Sequence, residues 1–313
     1  MKLIAFLFMV GSLLTAQKPI PIIFDTDIGD DIDDALALGL ALQSPELDIR
    51  LITTVVDDVE SRTRLVWKQL GLYGRQDIPI ATGAAQPLLD PIVNRRMPQF
   101  DVLTAADQPP TAAKRNAVDQ IIQTLLNAKE KITLVPIGPL TNIALALRTE
   151  PRIKDHIEKI VLMGGAYYPA RREYNIYRDR IAAEIVFSSG LPIVGVGLDV
   201  TEPCKLEGAD LERLRTSNNP ASQFLYKLIQ LWQVGKPHHY PVLYDPLAIA
   251  ATIRPSLITT ETGKVQVETA SPMLYGTTVF TKGKGTVEAA KDVKKREFLD
   301  LFIERLSSPP RKR

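Results

Sequence analysis

A single cysteine, Cys204, occurs among 313 residues. No intramolecular disulfide can form, so the fold must rest on its core alone. Charge of one sign is missing as well. Lys and Arg number 38 against 36 Asp and Glu, a net of +2, and the basic residues are scattered. That balance leaves no electrostatic footprint for a nucleic acid. The one basic run, "PPRKR" at the carboxyl end, reads as a solvated tail. Linkers, internal repeats and low-complexity tracts are lacking, and after the first 16 residues no apolar run reads as a membrane span.

What is present is ordinary globular composition, 45% hydrophobic and 24% charged, with length enough for a large core. The first residues, "MKLIAFLFMVGSLLTAQ", combine Lys2, an apolar run from Leu3 to Leu14, and the small Thr15 and Ala16. This is the layout of a secretory signal cleaved near Ala16. The expectation is a leader over 1–16, one domain over 17–313, and an exported protein, periplasmic or secreted, of a bacterium. No cysteine lies near the cleavage point, so a lipid anchor is not expected.

Strand-like and helix-like stretches alternate. "PIIFDTD", "IRLITTVV", "IPIATG", "ITLVPIG", "IEKIVLMGG" and "LPIVGVGLDV" read as strands. "IDDALALGLALQ", "ESRTRLVWKQLGLYGR", "NAVDQIIQTLLNAK", "PLTNIALAL" and "DRIAAEIVFSSG" read as helices between them. The rhythm predicts an α/β fold: an open, mostly parallel sheet with helices on both faces. After residue 205 the pattern turns helical. A β-rich stretch, "KVQVETASPMLYGTTVF", and a last helix, "KKREFLDLFIERL", close the chain. In such sheets ligands sit outside the carboxyl ends of the strands. Polar clusters at Asp25–Asp34, Asp57–Asp58, Gly138–Asn142, Gly164–Gly165 and Asp199–Thr201 fall at those ends and are expected to share one cleft.

The first cluster, "FDTDIGDDIDDALAL", packs Asp25, Asp27, Asp30, Asp31, Asp33 and Asp34 into ten positions. Unpaired like charges this close cost several kcal/mol once partly desolvated. Protonation relieves the cost, and so does a bound cation. Carboxylates without Cys or His neighbours suit a hard ion such as Ca²⁺ or Mg²⁺. A helix cap needs one aspartate, not six. An EF-hand loop counted from Asp25 fails, because Asp30 and Leu36 stand where Gly and Glu are required. The D-x-D of haloacid-dehalogenase phosphatases, with Asp25 as nucleophile, matches "FDTDIG" and leaves Asp30–Asp34 without a role.

Six segments together resemble the inosine–uridine-preferring nucleoside hydrolase family over residues 20–305. They are "DTDIGDDIDDALAL", "KITLVPIGPLTNIALAL", "IVLMGGAYY", "REYNIYRDRIAAEIVF", "GLDVT" and "YDPLAIA", in the family's order. The resemblance implies a Rossmann-like open sheet, hydrolysis of the N-glycosidic bond of ribonucleosides to base and ribose, a tightly bound Ca²⁺, and a homo-oligomer. It implies Asp27, Asp34, the Thr141 carbonyl and Asp245 as calcium ligands, with Asp27 also the general base. Asp33 would bond a ribose hydroxyl, Glu173 and Asn175 the sugar's outer hydroxyls, and Asp25 would orient the loop.

Three departures stand out. "DDI" intervenes between Gly29 and Asp33; matching on Asp-Asp-Ala selects Asp33 and Asp34, while spacing from Gly29 selects Asp31. After the second strand many members carry Gly-Asn; here, in "VVDDVE", Asp58 takes the asparagine's place as a ribose contact. Tyr244 stands where well-known members place the His that protonates the departing base, and a phenol is a weaker acid near neutrality. His239 or His238 in "KPHHYPVLYD" would take over, or Tyr244, Tyr240 or Trp232 would act on the base by stacking. These departures favour, as an alternative, a relative acting on a different riboside or sugar derivative.

Overall fold

The computed structural model describes residues 18–236 and 238–309. The leader read at 1–16 lies outside the described residues, as do the last four residues. Chain order runs β1 (Ile20–Thr26), α1 (Asp33–Leu42), β2 (Leu47–Thr54), α2 (Val59–Leu72), β3 (Ile80–Ala81), α3 (Ala117–Leu126), β4 (Ile132–Pro136), α4 (Thr141–Thr149), β5 (Ile157–Met163), α5 (Tyr174–Arg178), α6 (Arg180–Phe187), β6 (Ile193–Val196) and α7 (Leu198–Thr201). It continues through α8 (Gly208–Arg215), α9 (Pro220–Trp232), α10 (Tyr244–Ile253), β7 (Ile258–Val267), β8 (Thr278–Lys282), β9 (Val287–Val293) and α11 (Lys295–Ser307).

The strands form one sheet in the order β3-β2-β1-β4-β5-β6-β9-β7-β8. Pairs from β3 to β9 are parallel, and only β7 pairs antiparallel, with β8 and β9. Strand order diverges between β1 and β4, which opens a crevice beyond their carboxyl ends. Apolar β-branched runs such as "IPII" and "ITLV" suit strands buried on both faces. One face packs on α1, α10 and α11, and the other on α3, α4 and α6. Helix α1 is buried along its whole length, Asp33 and Asp34 included. Its sequence is therefore apolar all round, as expected of a helix enclosed by sheet and outer helices. Among the described residues no helix is long and apolar enough to cross a membrane.

The sheet and helices agree with the alternation read from sequence, with two differences. The stretch read as one strand through Val200 ends at Val196, and "LDVT" is helical. The turn delivers Asp199, whose carboxylate accepts from the Tyr167 and Tyr168 amides, both at 2.7 Å, and ties down the loop after β5. Strand β9 was not expected: "VEAAKDV" puts Glu288, Lys291 and Asp292 among short apolar residues and hides its period.

Candidate active site

A cleft of about 370 Å³ opens where strand order diverges. Strand β1 carries Asp25, Thr26 and, just past its end, Asp27 to the crevice. Asp25 is fully buried; its Oδ1 accepts from the Thr53 hydroxyl and from Asn142 Nδ2 (2.7 Å). Asn142 also donates to the Thr54 carbonyl (2.9 Å) and accepts from the Ala84 amide (3.0 Å). It joins β1, β2 and the loop after β3 through one amide. Sequence reading placed Asn142 in a polar cluster without giving it a role. The partner it needs, Asp25, lies 117 residues away.

The extra residues between Gly29 and Asp33 loop out ahead of α1. Gly29 has φ +120°, and a β-carbon there would come within 2.3 Å of Phe100. Gln99 Nε2 donates to the carbonyls of Asp30 (3.2 Å) and Asp31 (2.6 Å) and pins the loop. Helix α1 then begins at Asp33, so Asp33 and Asp34 occupy its first turn, where the helix dipole favours carboxylates. Thr26 Oγ1 donates to Asp34 Oδ1 at 2.5 Å. Across the cleft α10 begins at Tyr244, and the Asp245 amide donates to Asp33 Oδ2 (3.2 Å). Carboxylate oxygens of Asp33, Asp34 and Asp245 lie within 4.8 Å of one another, all buried.

Burial displaces the titrations of Asp25, Asp27, Asp31, Asp33, Asp34 and Asp245 upward. Burial, with Asp27 as a smaller repulsive neighbour, pushes Asp25 up to about 7. Burial pushes Asp27 up to about 6 against the pull of Arg62. Burial first, then repulsion from Asp31 and Asp27 at Asp33, from Asp27 and Asp33 at Asp34, and from Asp33 and Asp34 at Asp245, hold these three well above the usual carboxylate range. Arg62, which sequence reading missed, is fully buried; it donates from Nε to the Val56 carbonyl (2.9 Å) and from Nη1 to Ile28 (2.8 Å). Nothing in its local pattern, an arginine in an amphipathic helix, separates it from exposed arginines nearby.

Glu173, Tyr174 and Asn175 line the opposite wall. Glu173 caps α5: Oε1 accepts from Asn175 N (2.9 Å), and Oε2 from Ile176 N and Gly165 N (both 3.0 Å). Asn175 spends its Nδ2 on the Ile137 (2.8 Å) and Met163 (3.2 Å) carbonyls, which fixes its side-chain orientation. At the mouth, Arg95 contacts Asp30 and donates to the Tyr174 hydroxyl (3.0 Å).

The cleft brings together Asp27, Asp33, Asp34, Glu173, Asn175, Tyr244 and Asp245, with Asp30 and Asp31 beside them. Thr141 is buried at the start of α4, its hydroxyl donating to Asp179 Oδ2 (2.6 Å). Three expected residues, Thr141, Asp58 and His239, are not among those lining it. Asp58 is exposed and caps α2, accepting from Ser61 N (3.0 Å). The left-handed backbone after β2 falls on Val56 (φ 51°) and Asp57 (φ 58°), one residue ahead of the Asp57–Asp58 pair where Gly-Asn is matched. Gly and Asn adopt that region readily, and a β-branched residue does so only under strain. Asp57 is buried and paired to the equally buried Arg178 at 2.6 Å. His239 is exposed and sits beside Trp232, ring centroids 6.5 Å apart, while His238 and Tyr240 are exposed in the same loop. Tyr244 lines the cleft, its phenol pushed up to about 12 by burial and by Asp31 and Asp33.

The inosine-uridine preferring nucleoside hydrolase family matches residues 22–300. The chain belongs to that family. It is 39% identical to the pyrimidine-specific ribonucleoside hydrolase RihA of Escherichia coli, over 92% of this chain and 98% of that one. The Citrobacter koseri protein of the same description is 38% identical, with the same coverage. Among solved structures, a purine-preferring ribonucleoside hydrolase from Gardnerella vaginalis superposes with a TM-score of 0.81 at 31% identity, covering 92% of this chain and 98% of that one. A plant nucleoside hydrolase does so with 0.79 at 31% identity, covering 93% and 100%. The nucleoside hydrolase assignment fits the divergence-point cleft and makes the chain a ribonucleoside N-glycosidic hydrolase.

Proposed function

We propose that this nucleoside hydrolase cleaves ribonucleosides with a Ca²⁺ ion held in the cleft by Asp27, Asp34, Asp245 and the Thr141 carbonyl. The observation that carries the reading is the buried group of Asp33, Asp34 and Asp245 beside Asp27. Its donors are all oxygen, which suits a hard divalent ion, and without a cation its carboxylates repel one another. When bound, the ion supplies the opposing charge, polarises water and fixes ribose by its hydroxyls.

The chain's own groups do the remainder. Asp27, at the carboxyl end of β1 in the cleft, takes a proton from the attacking water. Asp33 accepts from a ribose hydroxyl. Glu173, held in place by backbone amides including those of Gly165, Asn175 and Ile176, turns its carboxylate to the sugar's outer hydroxyls. The carboxylates stabilise positive charge developing at C1′ as the glycosidic bond stretches. The apolar leader supports placing this reaction outside the cytoplasm.

The test is ribose release from uridine, cytidine, inosine and adenosine by calcium-supplied protein, with metal content measured on the same sample. Release abolished in Asp27→Ala, with about one Ca²⁺ per chain, supports the reading. Metal-free protein with full activity overturns the calcium assignment.

A further inference from the structure

Breaking the bond from C1′ to the base sends an electron pair to the base nitrogen. A neutral nucleoside then needs a proton delivered to the departing base, a task usually given to a positioned acid titrating near neutrality. The chain has three histidines: His156, His238 and His239. His156 lies just before β5, at the sheet end opposite the cleft, and the other two are in the exposed loop before α10. No histidine, lysine or cysteine lines the cleft among the described residues. Besides the aspartates proposed to meet the sugar, Asp31, Leu198, Glu202 and Tyr244 line it, together with Arg95 and Arg172.

The charges there are unbalanced toward the negative. Arg95 is taken up by Asp30 and the Tyr174 hydroxyl. Arg172 lies over the Tyr177 and Tyr275 rings, 4.6 and 5.2 Å from their centroids, and donates to the Met273 carbonyl. Glu202 is matched by Arg171. Asp31 accepts from its neighbouring Ile32 amide, and the cation that acts on it among the described residues is Lys236, on the exposed loop before α10. An aromatic ring close to Asp31, in a cleft whose carboxylates outnumber its two arginines, attracts a cation.

We propose that this cleft is built for ribosides whose base already carries a positive charge, N-ribosylpyridinium compounds being the simplest case. Such a base leaves as a neutral molecule: the C1′–N pair neutralises it, water oxygen bonds to C1′, and the water proton goes to Asp27. No acid is needed on the leaving side. The proposal rests on the nucleoside hydrolase reading and narrows its substrate class.

The experiment compares kcat/KM for N-ribosylnicotinamide with uridine and inosine, using calcium-supplied protein with Asp27→Ala as control. It adds a series of N-ribosylpyridinium compounds of graded leaving-group basicity. The expected result is a preference of about 100-fold or more for the cationic riboside, the scale of the acid catalysis it does not require. Rates should fall steeply as the departing pyridine becomes more basic. Equal or faster turnover of uridine or inosine overturns the proposal and leaves the family reading intact. Ribose release from none of the substrates overturns both.

Discussion

A β-carbon on Gly138 would stand 2.5 Å from Asp27 Oδ1. The loop after β4 therefore touches the proposed base directly, and only hydrogen fits between them. Gly138→Ala should displace Asp27 and lower kcat/KM for ribose release by about 100-fold, the scale that a misplacement of about 1 Å costs. Far-UV dichroism should be unchanged. Activity within threefold of the parent would show that Asp27 is not held by this contact.

Metal and proton compete for the same carboxylates. Asp25 and Asp27 rise from 3.8 to about 7 and about 6, so the metal-free fold binds more protons than the unfolded chain between those values. Their contribution is complete below about pH 4 and is lost as pH climbs through 6 and 7. In chelator, Tm should fall between pH 5 and 8. Added Ca²⁺ should raise Tm by an increment that grows with pH. A calcium increment independent of pH would refute the linkage.

The Asp57–Arg178 pair is buried on both sides. Removing one partner strands the other without water, at a cost of about 3–5 kcal/mol. Arg178→Met and Asp57→Asn should each lose roughly this much in urea titration. The double variant should recover most of it, because two neutral groups share the space. Additive losses would mean the ion pair is not the source.

Asp58→Ala removes a helix cap and nothing else near the cleft, so it should cost about 1 kcal/mol and leave kcat/KM within twofold. His239→Ala should leave both stability and kcat/KM within twofold. A tenfold loss in kcat/KM for either variant would return that residue to the site.

Legibility followed sequence distance. The β1–α1 stretch was readable because its strand, turn and acidic helix start are contiguous, and Asp33 and Asp34 sit in the first turn of α1. Asp245 was readable through its motif. Arg62, Asn142 and Arg178 were not, since each acts through a partner fixed by tertiary packing: Ile28 34 residues from Arg62, Asp25 117 from Asn142, Asp57 121 from Arg178. The Asp57–Asp58 register turned on backbone angles, which two adjacent aspartates cannot reveal. His239 was favoured for its nearness in sequence to Tyr244, yet the chain turns before α10 and leaves the loop outside.

The looped-out acidic segment is not a self-contained insertion. Gln99 grips its carbonyls and Phe100 fills the space that Gly29 leaves open, both from a segment about seventy residues downstream. Grafting the segment into a homologue would require transplanting that downstream peg with it. In evolution the two pieces are expected to arrive, lengthen or disappear as a pair.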